Sequence, residues 1–209
     1  MVGKKVNTKK LAEFIGILLG DGSISLKAQN PNLNNRLKIS FNSKDDSEYI
    51  FYVKCIIEDL FEIEPKLKYR KNENTADLFI FKKDLIVFLT RDIGLKLSPK
   101  WNNAEIPKRF MSNDLDLLVL RGYFDTDGCL VTTNNNGRIY PRLEMKVSPS
   151  PMQKQFVDIL RKYNFRLGVY HIGKGKVRIQ LNGKEQLRRW INLVGFGNIK
   201  HRNKINRFL

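Results

Sequence analysis

The chain contains itself twice, and this repeat limits the possible folds more than any other feature. Residues 14–22 read Phe-Ile-Gly-Ile-Leu-Leu-Gly-Asp-Gly, and residues 120–128 read Leu-Arg-Gly-Tyr-Phe-Asp-Thr-Asp-Gly. Gly16, Asp21 and Gly22 fall on Gly122, Asp127 and Gly128 at a constant offset of 106. The same offset sets Arg36-Leu-Lys-Ile-Ser-Phe on Arg142-Leu-Glu-Met-Lys-Val. Later the second copy is shorter by about five residues. Asp84-Leu-Ile-Val-Phe-Leu then falls on Glu185-Gln-Leu-Arg-Arg-Trp, Ile93-Gly-Leu on Val194-Gly-Phe, and Lys100-Trp-Asn-Asn on Lys200-His-Arg-Asn. The expected organisation is two units of about 100 residues, 1–109 and 110–209.

Each copy reads as helix, two strands, helix, two strands, helix. In copy one, Leu11, Phe14, Ile15 and Leu18 recur at helical spacing and predict a helix over 8–19. Strands are expected near 23–28 and 36–42, a helix over 47–61, a hairpin of 66–70 with 77–81, and a helix near 83–93. Copy two is expected to start its helix near Asn113 as N-cap, with Asp116 three residues on. Its strands pair 129–134 with 139–148 and 166–172 with 176–181, with helices over 151–163 and 184–193. Helices mixed with antiparallel strands make the class α+β.

Gly16 and Gly122 each fall inside a helix, where glycine costs about 1 kcal/mol relative to alanine. Small residues follow four places later, Gly20 and Thr126. Faces built this way let two helices pack closely, which joins the two copies into one protein. Asp21 and Asp127 then end those helices, where the negative end of the macrodipole disfavours a carboxylate. Two acids brought together at two helix ends call for a cation. Oxygen donors without His or Cys suit magnesium or another hard divalent ion. The alternative is that each Asp-Gly only turns the chain into a strand.

Both segments resemble the LAGLIDADG motif of homing endonucleases, and the resemblance covers nearly the whole chain. The second copy is a close match. The first has Leu19 where the motif has its first Asp. The resemblance implies two αββαββα units forming a saddle over duplex DNA, with Asp21 and Asp127 as metal ligands. It implies Mg2+ as the ion, with Mn2+ or Ca2+ as substitutes and Ca2+ in non-cleaving complexes. It also implies a lysine near each metal centre, matched by Lys100 and Lys200. The backbone carbonyls of Gly20 and Thr126 are expected to assist the metals, and Asn42 and Ser148 to lie behind them. A shared fragment with GIY-YIG nucleases, Gly168-Val-Tyr-His-Ile-Gly, lacks that motif's spacing. Asp125-Thr-Asp-Gly puts glycine too early for an EF-hand.

The charge balance agrees. Lys and Arg number 38 against 21 Asp and Glu, a net +17, and self-repulsion on that scale asks for a polyanionic partner. A ribosomal-type protein or a membrane-surface binder fits the charge alone, as does a merely solvated basic surface. The basic residues, however, alternate along strands. Arg36, Lys38 and Ser40 share one face, as do Lys66, Lys68 and Arg70, and in copy two Arg142, Glu144 and Lys146, then Lys176, Arg178 and Gln180. Lys27, Arg138 and Lys174 extend the set. A basic β-surface fits the major groove, and few acids are expected on it.

These readings predict a monomeric, site-specific DNA endonuclease that hydrolyses one phosphodiester on each strand of a long asymmetric site. The alternative is a nucleic-acid-binding protein without catalysis, such as a maturase acting on a host intron RNA. Met1 and the basic segment after it point to an intron-encoded chain rather than an intein. Two cysteines, Cys55 and Cys129, and no apolar run long enough for a membrane span or leader suggest an intracellular, reducing setting.

Overall fold

The computed structural model describes residues 7–27 and 34–208. Helix α1 (Thr8–Gly20) begins where the Asn7 side chain accepts from the N–H groups of Lys9 and Lys10, at 3.1 and 3.2 Å. It leads into β1 (Gly22–Ser25), β2 (Arg36–Asn42), α2 (Ser47–Phe61), β3 (Lys66–Tyr69), β4 (Thr75–Ile80) and α3 (Lys83–Val87). The second copy runs α4 (Leu115–Asp127), β5 (Gly128–Asn135), β6 (Arg138–Val147), α5 (Met152–Lys162), β7 (Gly168–His171), β8 (Val177–Asn182), α6 (Lys184–Leu193) and α7 (Ile199–Ile205).

Two antiparallel sheets result, ordered β1-β2-β4-β3 and β5-β6-β8-β7. They are built in the same register. Lys38 opposes Phe79 as Glu144 opposes Gln180, and Ser40 opposes Asp77 as Lys146 opposes Arg178. Leu37, Ile39, Leu78 and Ile80 of one sheet, and Leu143, Met145, Ile179 and Leu181 of the other, turn inward and are buried against the helices. The helices α1 and α4 pack backbone on backbone. A methyl group on Gly16 would lie 2.1 Å from the carbonyl oxygen of Val119, and one on Gly122 would lie 2.1 Å from that of Glu13. No side chain fits there. The gain from this close seam is what offsets glycine's cost within each helix.

The repeats also exchange their tails. After α3, residues 98–106 first join β1: Ser98 N–H donates to the Ile24 carbonyl at 2.9 Å, and Ile24 N–H to Ser98 Oγ at 3.1 Å. They then cross to the other repeat. Asn102 N–H donates to the Pro149 carbonyl at 2.6 Å, Met152 N–H to that of Ala104 at 3.1 Å, and Gln155 pairs with both backbone groups of Ile106. Reciprocally, Asn198 and Lys200 of the second tail reach Asp46 at the start of α2.

Several elements differ from the sequence reading. The first strand ends at Ser25, and the rest of the expected segment 23–28 reaches residues outside those described. Asn113 is not the N-cap of α4. Asn113 and Asp114 both take left-handed backbone conformations (φ 56° and 59°), and the helix starts at Leu115. Asp116 is fully buried, accepting from Tyr163 at 2.8 Å and from Lys162 at 2.7 Å, so it ties α4 to α5 instead of boxing a cap. The helix expected over 83–93 is α3 followed by a π-helical turn, Phe88–Asp92. Finally, α7 was not foreseen, because its seven residues carry no apolar period. It is held by Asn198, whose side chain accepts from Lys200 N–H at 3.1 Å.

Candidate active site

The helix seam carries Asp21 and Asp127 to one place. Asp21 caps α1 at its C-terminal end, Asp127 is the last residue of α4, and β1 and β5 open directly after them. A methyl group on Gly20 would sit 2.0 Å from Thr126 Oγ1 and 3.5 Å from Asp127 Oδ2, so the second motif's acid lies against the end of the first motif's helix. Burial, and next the nearby Asp127 carboxylate, push the Asp21 carboxyl up to about 7. Asp127 keeps access to solvent, yet burial of its carboxyl group still raises it, against the pull of Lys100. The site is therefore electrostatically unsatisfied in the sense a cation relieves. Among the described residues no group of three or more His, Cys, Asp or Glu side chains gathers in a metal-holding arrangement. The donors on offer are these two carboxylates and the carbonyls at the end of α4, those at the end of α1 being taken by Lys100.

The two predicted lysines are both here but differently engaged. Lys100 Nζ donates to the carbonyls of Leu18 at 3.1 Å, Leu19 at 2.7 Å and Gly20, filling the electronegative end of α1. Burial lowers its pKa, while Asp127 and Asp21 hold it up. Lys200 instead donates to Asp46 Oδ1 at 2.7 Å. The Gly20 carbonyl, expected to face a metal, thus accepts from Lys100, and the Thr126 hydroxyl donates back to the Tyr123 carbonyl at 2.9 Å. Asn42 Oδ1 accepts from the N–H groups of Lys44 and Asp45, shaping the turn before α2. The Ser148 carbonyl accepts from Ser150 Oγ at 3.1 Å.

Three groups escaped the sequence reading. Asp46 is a buried acid beside Asp21, and it also accepts from Asn198 Nδ2 at 2.8 Å. Nothing in its local Lys-Asp-Asp context signals a partner from the other repeat. Glu13 is buried in the seam, where it pairs with Arg121 and accepts from the Tyr52 hydroxyl at 2.9 Å. Asp125, which stands where copy one has Leu19, is buried and accepts from Gly197 N–H at 2.6 Å, fixing the turn that leads to Lys200. Burial pushes its carboxyl up to about 7.

The polar sheet faces flank the acids. Arg36, Lys38, Lys66 and Lys68 lie on the first face, and Arg142, Lys146 and Arg178 on the second. The expectation of few acids fails at the centre of the first face. Asp77 sits there, buried, bound by Arg70 through Nε at 2.8 Å and Nη2 at 3.1 Å, and by Ser40 Oγ at 2.7 Å. Arg70 also contacts Glu73, so its charge is already answered within the protein. Glu144 is similarly placed between Arg142, at 3.1 Å, and Gln180. Lys27, Arg138 and Lys174 are exposed. Among the described residues no helix is long and apolar enough to cross a membrane.

Known proteins carry the same architecture. The fold superposes on mesophilic variants of the homing endonuclease I-DmoI with a TM-score of 0.62, at 14% identity, over 90% of this chain and 96% of that one. It superposes on the homing endonuclease I-WcaI bound to its DNA recognition sequence with a TM-score of 0.60, at 18% identity, over 92% and 83%. In sequence, a segment of 121 residues is 30% identical to part of the replication factor C small subunit of Methanocaldococcus jannaschii, covering 57% of this chain and 6% of that protein. Uncharacterized protein MJ0314 of the same organism is 26% identical over 171 residues, 79% of this chain and 58% of that one. The chain thus spans less than two thirds of either relative. Residues 13–187, Asp21 and Asp127 included, match the LAGLIDADG DNA endonuclease family, and the chain belongs to that family.

Proposed function

We propose that this protein is a metal-dependent, site-specific DNA endonuclease acting as a monomer, with its two units divided near 109 and 110. One observation carries the reading: the glycine seam brings two carboxylates together at two helix ends, between two polar, largely basic sheet faces. Solved relatives support the partner and the ion class, since I-DmoI has been crystallised with DNA and Mn, and with DNA and Ca. The donor set here fits a hard divalent ion, all oxygen and doubly acidic. Asp21 and Asp127 would hold it, with the Thr126 carbonyl beside them, since the Gly20 carbonyl already accepts from Lys100. Such an ion supplies polarisation of the scissile phosphate and a lowered pKa for the attacking water.

The chain's own residues do the rest. The sheet faces hold the duplex through Lys and Arg, with Gln180 and Glu144 able to read base edges. Lys100, anchored on three carbonyls, is a fixed positive charge beside both acids, suited to stabilising charge that builds on a phosphate. Lys200 plays the matching part from the other tail, oriented by Asp46. Asn42, the last residue of β2, and Ser148, the residue after β6, are the candidates for a supporting role behind this layer.

The test begins by selecting a bound duplex from a randomised library. With Mg2+, the purified chain should cut the selected duplex on both strands. Asp21→Asn and Asp127→Asn should bind it within about threefold of wild type yet lose at least about a hundredfold in cleavage rate. Full cleavage by either variant would overturn the assignment, and binding without any cleavage by the wild type would favour a non-catalytic role.

A further inference from the structure

The second repeat carries a lysine where the first carries a threonine, at the end of the sheet from which its acid enters. Lys176 closes the turn between β7 and β8, and the sheet registers make it the equivalent of Thr75 in the first repeat, since Arg178 and Asp77 occupy equivalent places. The turn is firmly built. Lys176 N–H donates to the Gly173 carbonyl and Ile172 N–H to that of Lys176, each at 3.0 Å. Gln153 Nε2 grips the Gly175 carbonyl at 2.8 Å and that of Val147 at 3.1 Å. Gly175 has φ 68° and rests on Pro149, where a methyl group would come within 2.8 Å. The Pro149 carbonyl in turn accepts from Asn102, in the tail of the first repeat.

The residue before Asn102 is Trp101, and the Lys176 ammonium stands 5.4 Å from the centre of its ring. Trp101 is 40% exposed, whereas its counterpart His201 is only 1% exposed and packs at a tilt against Phe124 and Phe196. A ring from one repeat therefore steadies a cation of the other. Gly128, next to Asp127, opposes Met145, which opposes Ile179, so β8 begins at the same end of its sheet as β5 and carries Lys176 to the Asp127 side; Gly22, Ile39 and Leu78 carry Thr75 to the Asp21 side in the same way.

Resting on the endonuclease reading above, we propose that Lys176, positioned by Trp101, binds the scissile phosphate at the Asp127 centre alone, so that the strand served by Asp127 is cut first. A phosphate there meets Lys176 in addition to Lys100 and Lys200, while one at Asp21 meets the neutral Thr75 side. A cation held in place before reaction lowers the barrier more than a mobile one, because no reorganisation accompanies the charge that builds.

The selected duplex, placed in a supercoiled plasmid with each strand separately labelled, tests this with Mg2+. Wild type should accumulate a nick in one strand. Lys176→Met should reduce the ratio of the two strand rates about tenfold, Lys176→Arg should keep it, and Trp101→Leu should fall between. Trp101→Phe, which retains a ring, should rescue the ratio. A general loss of structure would slow both strands and leave the ratio unmoved. In the free protein, the Lys176 ε-methylene protons should carry an upfield ring-current shift that Trp101→Leu abolishes. Equal strand rates in wild type, an unchanged ratio in Lys176→Met, or no ring-current shift would overturn the proposal while the endonuclease reading stands. A wild type that binds the duplex and never nicks it would overturn both.

Discussion

The two repeats match where they are apolar and part where they are polar. Gly16 and Gly122 meet equivalent backbone at the same 2.1 Å, and the sheets share order and register. At the polar positions the correspondence ends. Leu19 corresponds to Asp125, Thr75 to Lys176, and buried Asp77 to Arg178. Lys100 fills its own repeat's helix end, whereas Lys200 crosses to Asp46. Net charge follows: 20 basic and 14 acidic residues give +6 over 1–110, and 18 basic and 7 acidic give +11 over 111–209. Packing across a pseudo-twofold axis couples the two copies, so a change in one must be met in the other. Polar groups on the sheet faces are free of that coupling, which is what reading an asymmetric duplex requires.

The largest expected effect tests the matched half of this comparison. Gly16→Val and Gly122→Val should each cost about 3 kcal/mol or more in urea unfolding, because backbone, not a movable side chain, blocks the new Cβ. Costs that differ greatly between the two would break the symmetry claimed for the seam.

Next comes pH. Asp21 titrates at about 7 in the folded protein against 3.8 for the free group, Asp125 also at about 7, and Asp127 is raised. The native state then binds more protons than the unfolded chain between those values, so stability falls as pH rises from about 4 to 7. Asp21→Asn should remove part of that fall, on the order of 2 kcal/mol once solvent screening is allowed for. Melting temperature against pH, with and without Mg2+ and with EDTA, reads it. Mg2+ should stabilise wild type above pH 7 and barely affect the variant. A wild type whose melting temperature climbs steadily from pH 4 to 8 without metal would contradict the frustrated acid pair.

Asp77→Ala should cost about 1 kcal/mol by leaving Arg70 and Ser40 without their shared acceptor, and should tighten DNA binding by removing an acid from that face. Chemical denaturation and binding titrations measure the two together, and weaker binding would argue that Asp77 serves the duplex directly. The smallest effect is in the salt dependence. Arg178→Ala should lower the slope of log affinity against log salt by about 1, and Arg70→Ala by clearly less, since Asp77 and Glu73 already answer its charge. Equal slopes would erase the distinction drawn between the two faces.

The motif pair, the strand alternation and the helix 47–61 were legible in the sequence because each rests on local spacing. The seam was legible too, since an unexplained glycine inside a helix, repeated, has few physical uses. The polar contacts between repeats were not. Asp46 belongs to a run of exposed-looking charges, and its partners lie more than 150 positions away in Asn198 and Lys200. Asp77 looked like the rim of a strand, but β4 starts two residues earlier and carries it to the middle of the face. The N-terminus of α4 lies later than the capping pattern suggests because Asn113 and Asp114 take the left-handed backbone that Asn and Asp tolerate, and Asp116 is buried against Lys162 and Tyr163.

The exchanged tails bear on how such a chain can be inherited. Halves of related proteins cannot be traded at residue 109 or 110 as freely as the repeat suggests. The segment 98–106 ends the first copy yet closes on Pro149, Met152 and Gln155 of the second, and residues 198–200 close on Asp46 of the first. A hybrid that kept the first half would bring each tail to a stranger's helix start, with Asp46 no longer facing Asn198 and Lys200 and the Ile106 backbone no longer facing Gln155. The crossovers that survive should be those in which each tail travels with the surface it covers, so that a new DNA specificity is acquired by replacing strand faces inside a retained frame.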